Sequence, residues 1–425
     1  MTVPASTTVG RVRAPALIPP ASVLRHLPTG GGCAVVRAGA STVIGASPAV
    51  VRAASGADAF AVLREVDAGG FWIGACSYDL GRSIERVHRR TGDDLEIPDV
   101  VFARYDNRIV LHDDGLVEVV GDGTFRVAIE EAEVREAGTP PSTTPTNEFD
   151  SSLDRVDHAA ACARIHELLE AGECYQVNLT RRLDAAYAPD PVGLYDALTR
   201  TSPAPHASLC TFPGLDLAIV SASPELFLRI EPDRAGRRIE TRPIKGTAAD
   251  ATALAASAKD RAENVMIVDL ARNDLGRVCE YGSVTVPELC AVEPHPGLFH
   301  LVSTVTGRLR ADADLAAVVR ATFPPASVTG APKPRVMQAI EDLEPVRRGV
   351  YCGAVGWVDG DRGAAELAVA IRTFTITGGH TYLGVGGGIV ADSQAEDEWA
   401  ETELKAARLL AATGTKPQPA SLATR

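Results

Sequence analysis

The chain has no excess of basic residues: 42 lysines and arginines stand against 55 aspartates and glutamates, a formal net charge of −13. Nucleic-acid surfaces need a positive face, so broad nucleic-acid binding is not expected. An anionic ligand would need a locally positive pocket, because the global field does not attract it. The eight cysteines form no C-x-x-C pair and no Cys/His cluster at zinc spacing, which reads as reduced, buried thiols in a cytoplasmic protein. No apolar run approaches the ~20 residues of a membrane helix, and the first thirty residues lack the pattern of a signal peptide. P-loop, H-E-x-x-H and nucleophile-elbow motifs are absent, as is the Gly-x-Cys-x-Gly turn of a glutaminase. What remains, 45% hydrophobic and 23% charged over 425 residues, is ordinary globular composition with material for a large core.

Residues 1–20 are rich in Pro, Ala and Thr and predict a poorly ordered start. Over 21–136 short strands and turns dominate, with 71–78 and 108–112 strand-like and a short acidic helix expected at 127–135. A Pro/Thr-rich linker is expected over 137–149, then a second region over 150–412 and a flexible tail over 413–425. The second region opens with a helix over 154–170, with Ala160, Ala163, Ile165, Leu168 and Leu169 near one face, ended by Gly172. Strands are expected over 174–180, 217–220, 238–242, 300–305, 368–373 and 382–383. Helices are expected over 251–273, with Val265, Met266, Val268, Leu270 and Ala271 on the buried side, and over 335–343 and 394–411.

The segment Glu240-Thr241-Arg242-Pro243-Ile244-Lys245-Gly246-Thr247 draws attention first. It mounts a lysine at a strand end beside a glycine that permits a sharp turn or close approach. An exposed Lys245 would be a solvated charge; a partly buried one sheds its proton more readily and becomes a nucleophile. Glu225 precedes it by one hairpin's length, so the two can face one site from neighbouring strands. Gln176, Asn178 and Thr180 alternate onto one face of their strand, either a solvent face or the lining of a cleft. Asp260 and Glu263 are i,i+3 neighbours on one predicted helix, and Glu398 and Glu401 repeat that spacing on another. If those helices meet, their carboxylates suit Mg²⁺, a hard cation that takes oxygen ligands; otherwise they are ordinary charged faces. His300 opens a strand, and Ser327 to Lys333 forms a turn whose free N–H groups suit an anion. Arg372 is placed on a strand, followed by the glycine run Gly384-Val385-Gly386-Gly387-Gly388. That run is not a dinucleotide fingerprint, but it allows backbone N–H groups to approach a carboxylate.

Several ordered motifs carry a resemblance. They include Tyr175-Gln176-Val177-Asn178-Leu179, Ser223-Pro224-Glu225, Arg242-Pro243-Ile244-Lys245-Gly246-Thr247 and Asp260-Arg261-Ala262-Glu263-Asn264. Thr329-Gly330-Ala331-Pro332-Lys333, Ile371-Arg372-Thr373, Gly386-Gly387-Gly388-Ile389-Val390-Ala391-Asp392-Ser393 and Glu398-Trp399-Ala400-Glu401-Thr402 follow. Together they resemble the chorismate-binding enzymes, densely over 150–412 and more thinly upstream through Ser77-Tyr78-Asp79-Leu80-Gly81-Arg82. The resemblance implies an α+β fold like that of anthranilate synthase component I, with two packed antiparallel β-sheets and helices outside. Members that add water carry a lysine where this chain has Gln176, whereas members that add ammonia carry glutamine. Anthranilate-forming members typically have alanine at the Lys245 position, so Lys245 points to the aminodeoxychorismate-forming branch.

In that branch the lysine attacks the ring at C2 while the C4 hydroxyl leaves, and ammonia then enters at C4. The resemblance assigns Glu225 as the acid, His300 as an active-site histidine of less defined role, and Glu263 and Glu401 to Mg²⁺ with Glu398 and Asp260 beside them. It assigns Arg372, Tyr351, Gly386, Gly387 and Gly388 to the substrate, with Gly246, Thr247, Ser327 and Gln176 lining the pocket. Lacking a glutaminase motif, the chain is expected to draw ammonia from a separate glutamine amidotransferase subunit or from free ammonium. The expected product, 4-amino-4-deoxychorismate, is a precursor of p-aminobenzoate and folate. The sequence departs from the family pattern at Pro325-Ala326, where Gly-Gly is usual, and at Glu366, where aspartate is common. The stretch from Cys33 to Ala38 lacks the Leu-Leu-Glu-Ser element tied to tryptophan feedback, so such control is not expected.

Overall fold

The fold is described from a computed structural model, which covers residues 8–13, 18–121, 125, 148–295 and 297–414. The helix expected over 127–135, nearly all of the 137–149 linker and the tail beyond 414 lie outside those residues. Two antiparallel sheets of twelve and ten strands dominate, as expected for the α+β class. Their inner faces share one core, in which Val36, Cys210, Phe212 and Ile219 of the first sheet meet Ile73, Val101, Ala103 and Val355 of the second. Each such fully buried aliphatic or aromatic side chain contributes about 1.5–3 kcal/mol. Helices cover the outer faces, and among the described residues none is long and apolar enough to cross a membrane. All eight cysteines are free and buried.

N-terminal strands are built into both sheets. Cys33–Ala38 pairs with His206–Phe212, and Phe71–Cys76 pairs with Ala354–Asp359. Thr8–Arg13, inside the stretch expected to be poorly ordered, forms an edge strand paired with Leu116–Val120. The first half is therefore woven into the second.

Several local expectations need correction. The helix expected over 251–273 is two helices, Ala251–Ala256 and Ala258–Gly276, because Ser257 leaves helical geometry and caps the second with its hydroxyl. Its buried residues include Asn264, Ile267, Val268 and Ala271, while Val265 is exposed. In the helix Arg155–Glu170 the buried face runs through His158, Ala161, Cys162, Ile165 and Leu168, leaving Ala160 and Ala163 in solvent. The His158 ring meets Trp399 edge-on, which turns the helix from the face that apolar periodicity alone predicts. Gln176, Asn178 and Thr180 are all buried, so their strand, Gln176–Ala185, has no solvent face there. The strand lies between His380–Ile389 and short pieces on its other edge.

The glycine run is part of one continuous strand, His380–Ile389. Glycine is required where other groups press on this strand: a Cβ at Gly384 would lie 2.2 Å from the Tyr351 ring, and one at Gly388 would lie 2.9 Å from the Gln176 carboxamide. The ring and the amide therefore lie flat against the sheet.

Candidate active site

Lys245 does not end the hairpin strand Gly236–Arg242. Pro243 interrupts that strand, and Lys245 belongs to a separate short strand, Ile244–Ala248. Against the neighbouring strand Leu298–Arg308, Ile244 opposes Val302 and Thr247 opposes His300, so Lys245 and Gly246 together face one residue. This is a β-bulge, a device that re-aims a side chain out of the ladder. Gly246 has φ +86°, and a Cβ there would meet the Asp260 side chain at 2.9 Å. Glycine thus brings the Lys245 strand against the first turn of the helix carrying Asp260 and Glu263. Asn264 fixes that helix, donating from Nδ2 to the Leu301 carbonyl at 3.2 Å and accepting from the Ser303 hydroxyl.

Glu225 sits just before the strand Leu226–Asp233 and is 5% exposed. The Ser327 hydroxyl and the Ile244 N–H donate to its carboxyl. Lys245 is half-buried, and its Nζ lies 3.4 Å from the Ser327 carbonyl. Burial pushes Lys245 below the ordinary lysine range, helped by the charge of Lys405 and opposed by Glu263, Glu225 and Glu401. Burial pushes Glu225 the other way, up to about 7, against the Ser327 hydrogen bond, the Lys245 charge and the Ile244 N–H. An amine inclined to lose its proton thus faces a carboxyl inclined to keep one.

His300 is buried and shares a 2.8 Å hydrogen bond between Nδ1 and the Thr247 hydroxyl. Burial, His295 and Arg372 lower it to about 4, against a backbone contact from Gly246, so the ring is neutral near pH 7. Arg372 does not lie within a strand. It occupies the connection between Ala364–Val369 and Thr373–Thr377 at φ +52°, a conformation rare for a non-glycine residue. Among the described residues its guanidinium has no carboxylate partner, and burial together with the Arg408 charge lowers its proton affinity. Thr373–Thr377 pairs with the glycine strand only from His380 to Leu383. Beyond Leu383, Gly386, Gly387 and Gly388 keep their pairing with Gln176–Ala185, while the edge on Arg372's side is left open. A cation on the side of an unpaired strand edge is chemistry that suits a carboxylate.

The four acidic candidates form two pairs near Lys245. Glu263 is raised by burial, with Asp260 and Glu398 adding to the effect, and Glu398 is raised by burial with Glu401 adding. Ser393 donates to Glu398 at 2.6 Å. Among the described residues no three His, Cys, Asp or Glu side chains enclose a metal site by themselves. Gln176 and Tyr351 lie on the opposite face of the glycine strand from Glu398. Neither hydrogen-bonds to the Lys245 cluster, and among the described residues both ends of the fully buried Gln176 amide lack a partner.

The structure adds Lys405, which the motifs did not single out. Its ammonium donates to the Gly386 carbonyl at 2.8 Å and pairs with Glu401 at 2.7 Å. The available signal was its i,i+4 spacing from Glu401, a spacing shared with many surface pairs. At the end of the turn from Ser327, the Lys333 side chain points inward to Asp274.

Residues 28–411 match the family described as chorismate binding enzyme. The aminodeoxychorismate synthase component 1 of Klebsiella aerogenes is 41% identical over 350 residues, covering 80% of this chain and 76% of that protein. Anthranilate synthase component 1 1 of Haloarcula marismortui is 37% identical over 367 residues, covering 78% of this chain and 73% of its own length. Among solved structures, anthranilate synthase component I from Streptococcus pneumoniae gives a TM-score of 0.76 at 25% identity, covering 95% of this chain and 100% of that one.

Proposed function

The chain belongs to the chorismate binding enzyme family, and from that premise we propose that it replaces the C4 hydroxyl of chorismate with ammonia to give 4-amino-4-deoxychorismate. The observation that carries this reading is the meeting of the Lys245 amine, 3.4 Å from the Ser327 carbonyl, and the buried Glu225 at one hydroxyl-bearing loop. The relative from Klebsiella aerogenes bears the name of that activity, and its designation as component 1 supports a partner component. A separate glutamine amidotransferase subunit is the proposed source of ammonia.

In the first step the neutral Lys245 amine forms a bond to ring C2, both ring double bonds shift (C1=C2 to C1=C6 and C5=C6 to C4=C5), and the C4–O bond breaks. Glu225 gives its proton to the departing hydroxyl, which leaves as water. In the second step ammonia bonds to C4, both double bonds shift back, and the C2–N bond breaks with its electron pair returning to Lys245. The new C4 ammonium then surrenders a proton to the Glu225 carboxylate, restoring the starting pair. Arg372 and the open glycine edge hold a substrate carboxylate.

The donor set fits Mg²⁺: hard carboxylate oxygens, with Glu263 and Glu398 crowded by like charge that a cation relieves. Glu263 and Glu401 would hold the ion, with Asp260 and Glu398 beside them, and it would neutralise a substrate carboxylate when bound. Titration of the substrate-free protein with Mn²⁺, read by calorimetry, should show binding that Glu263→Gln with Glu401→Gln weakens at least about tenfold. Equal affinity in the variant removes the acidic pairs from the metal assignment.

The test of the function is product identity by mass spectrometry after incubation with chorismate, Mg²⁺ and ammonium at mildly alkaline pH. Aminodeoxychorismate supports the reading. Anthranilate instead would place the chain with its anthranilate-forming relatives despite Lys245.

A further inference from the structure

We propose that the buried Lys333–Asp274 pair is a positioning clasp for the acid–amine site, acting through the Ser327 loop; this rests on the function proposed above. Lys333 is the first residue of the helix Lys333–Leu343. Its ammonium donates at 2.8 Å to Asp274 Oδ2 and at 2.8 Å to the Thr322 carbonyl. Both charged side chains are more than nine-tenths buried.

Three elements meet at this one ammonium. Thr322 ends the helix Leu315–Thr322, so its contact with Lys333 closes the base of the intervening loop. Asp274 lies near the far end of the helix that carries Asp260 and Glu263 at its start. The loop so closed holds Ser327, whose hydroxyl serves Glu225 and whose carbonyl receives Lys245. Arg348 steadies the next residue by donating to the Val328 carbonyl at 2.9 Å.

Phe323 and Val328 anchor the loop in the core on one side. A cavity lies behind it, lined by Glu225, Ser327, Thr322, Asp274 and apolar neighbours such as Phe227 and Leu275. Where the loop borders the cavity it has fewer side-chain contacts, so polar ties add to the packing that fixes its place. A shift of about 1 Å at the reacting groups is enough to cost on the order of 100-fold in rate.

Removing one partner alone would strand a buried charge and threaten folding. The test variant is therefore the double replacement Asp274→Leu with Lys333→Met, alongside Ser327→Ala. The double variant is expected to fold, with faster amide exchange across 323–332. Its kcat should fall roughly 10- to 100-fold while KM for chorismate changes less than about threefold. Glu225 must carry a proton, so its titration sets the alkaline limb of the kcat profile. The groups facing it are Lys245, the Ser327 hydroxyl and the Ile244 N–H. Because the Ser327 bond holds its proton affinity down, losing that bond should move the limb to higher pH in both variants.

A folded double variant with parental kcat, pH limb and exchange overturns the proposal, as does a Ser327→Ala variant that moves neither kcat nor limb. If the parent itself does not turn over chorismate, the functional reading has failed, and the exchange measurement alone decides the clasp. Parental exchange in the double variant would then overturn it.

Discussion

Lys245→Ala should abolish amination while leaving a folded protein. Among the described residues the ammonium's one hydrogen bond is a long contact to the Ser327 carbonyl, so little stability goes with it. Losing the nucleophile of a two-step substitution is expected to lower kcat/KM by on the order of 10⁴-fold or more. Lys245→Arg should fail as fully, because a guanidinium does not deprotonate in this range. In the parent, withholding ammonium should let an adduct of chorismate less water accumulate on the peptide containing Lys245, visible by mass spectrometry. Turnover of the alanine variant within about tenfold of the parent would sink the covalent step. The lowered proton affinity also has a sign in the pH profile: kcat/KM should rise as Lys245 deprotonates, below the pH at which an ordinary lysine would do so.

Glu225→Gln should cost about 10²- to 10⁴-fold in kcat, the usual worth of a positioned general acid. It should also erase the fall in rate that the parent shows as pH passes about 7. Stability gives an independent check. Burial raises this carboxyl from its ordinary 4.5 to about 7, so between those values the folded protein holds a proton that the unfolded chain releases. The stabilising contribution is complete below the unfolded value and is lost as pH rises through the folded one. The change is worth roughly 3 kcal/mol. Thermal melts at pH 5 and pH 9 should therefore differ more for the parent than for Glu225→Gln. Parallel curves would mean that another group carries the titration.

Much of this site was legible in the residues themselves. The spacing from Glu225 to Lys245 matched one hairpin, and the i,i+3 carboxylates did land on helices. What escaped was set by partners distant in the chain. Apolar spacing identifies a helix but not which stripe its neighbours cover, as His158 under Trp399 shows. Arg372 read as a strand residue because its β-branched and small neighbours favour extended chain, and no pattern announces a lone residue at φ +52°. The strand expected at 382–383 continues through the glycine run because the chain opposite, from Asn178 to Thr180, completes its ladder. The clasp between Lys333 and Asp274 joins groups whose separate motifs give no hint of each other.

The weave of early strands into both sheets also bears on how the protein is made. Phe71–Cys76 can begin pairing with Val100–Arg104 soon after synthesis, but its other edge must wait for Ala354–Asp359, most of a chain later. At typical synthesis rates that wait is roughly tens of seconds. Throughout it the nascent chain presents an apolar strand with unpaired backbone groups, the kind of surface that captures the wrong neighbour. The ribosome-bound half-protein is thus the stage at which this enzyme most needs a chaperone, and crowding several such chains on one message is where aggregation should begin.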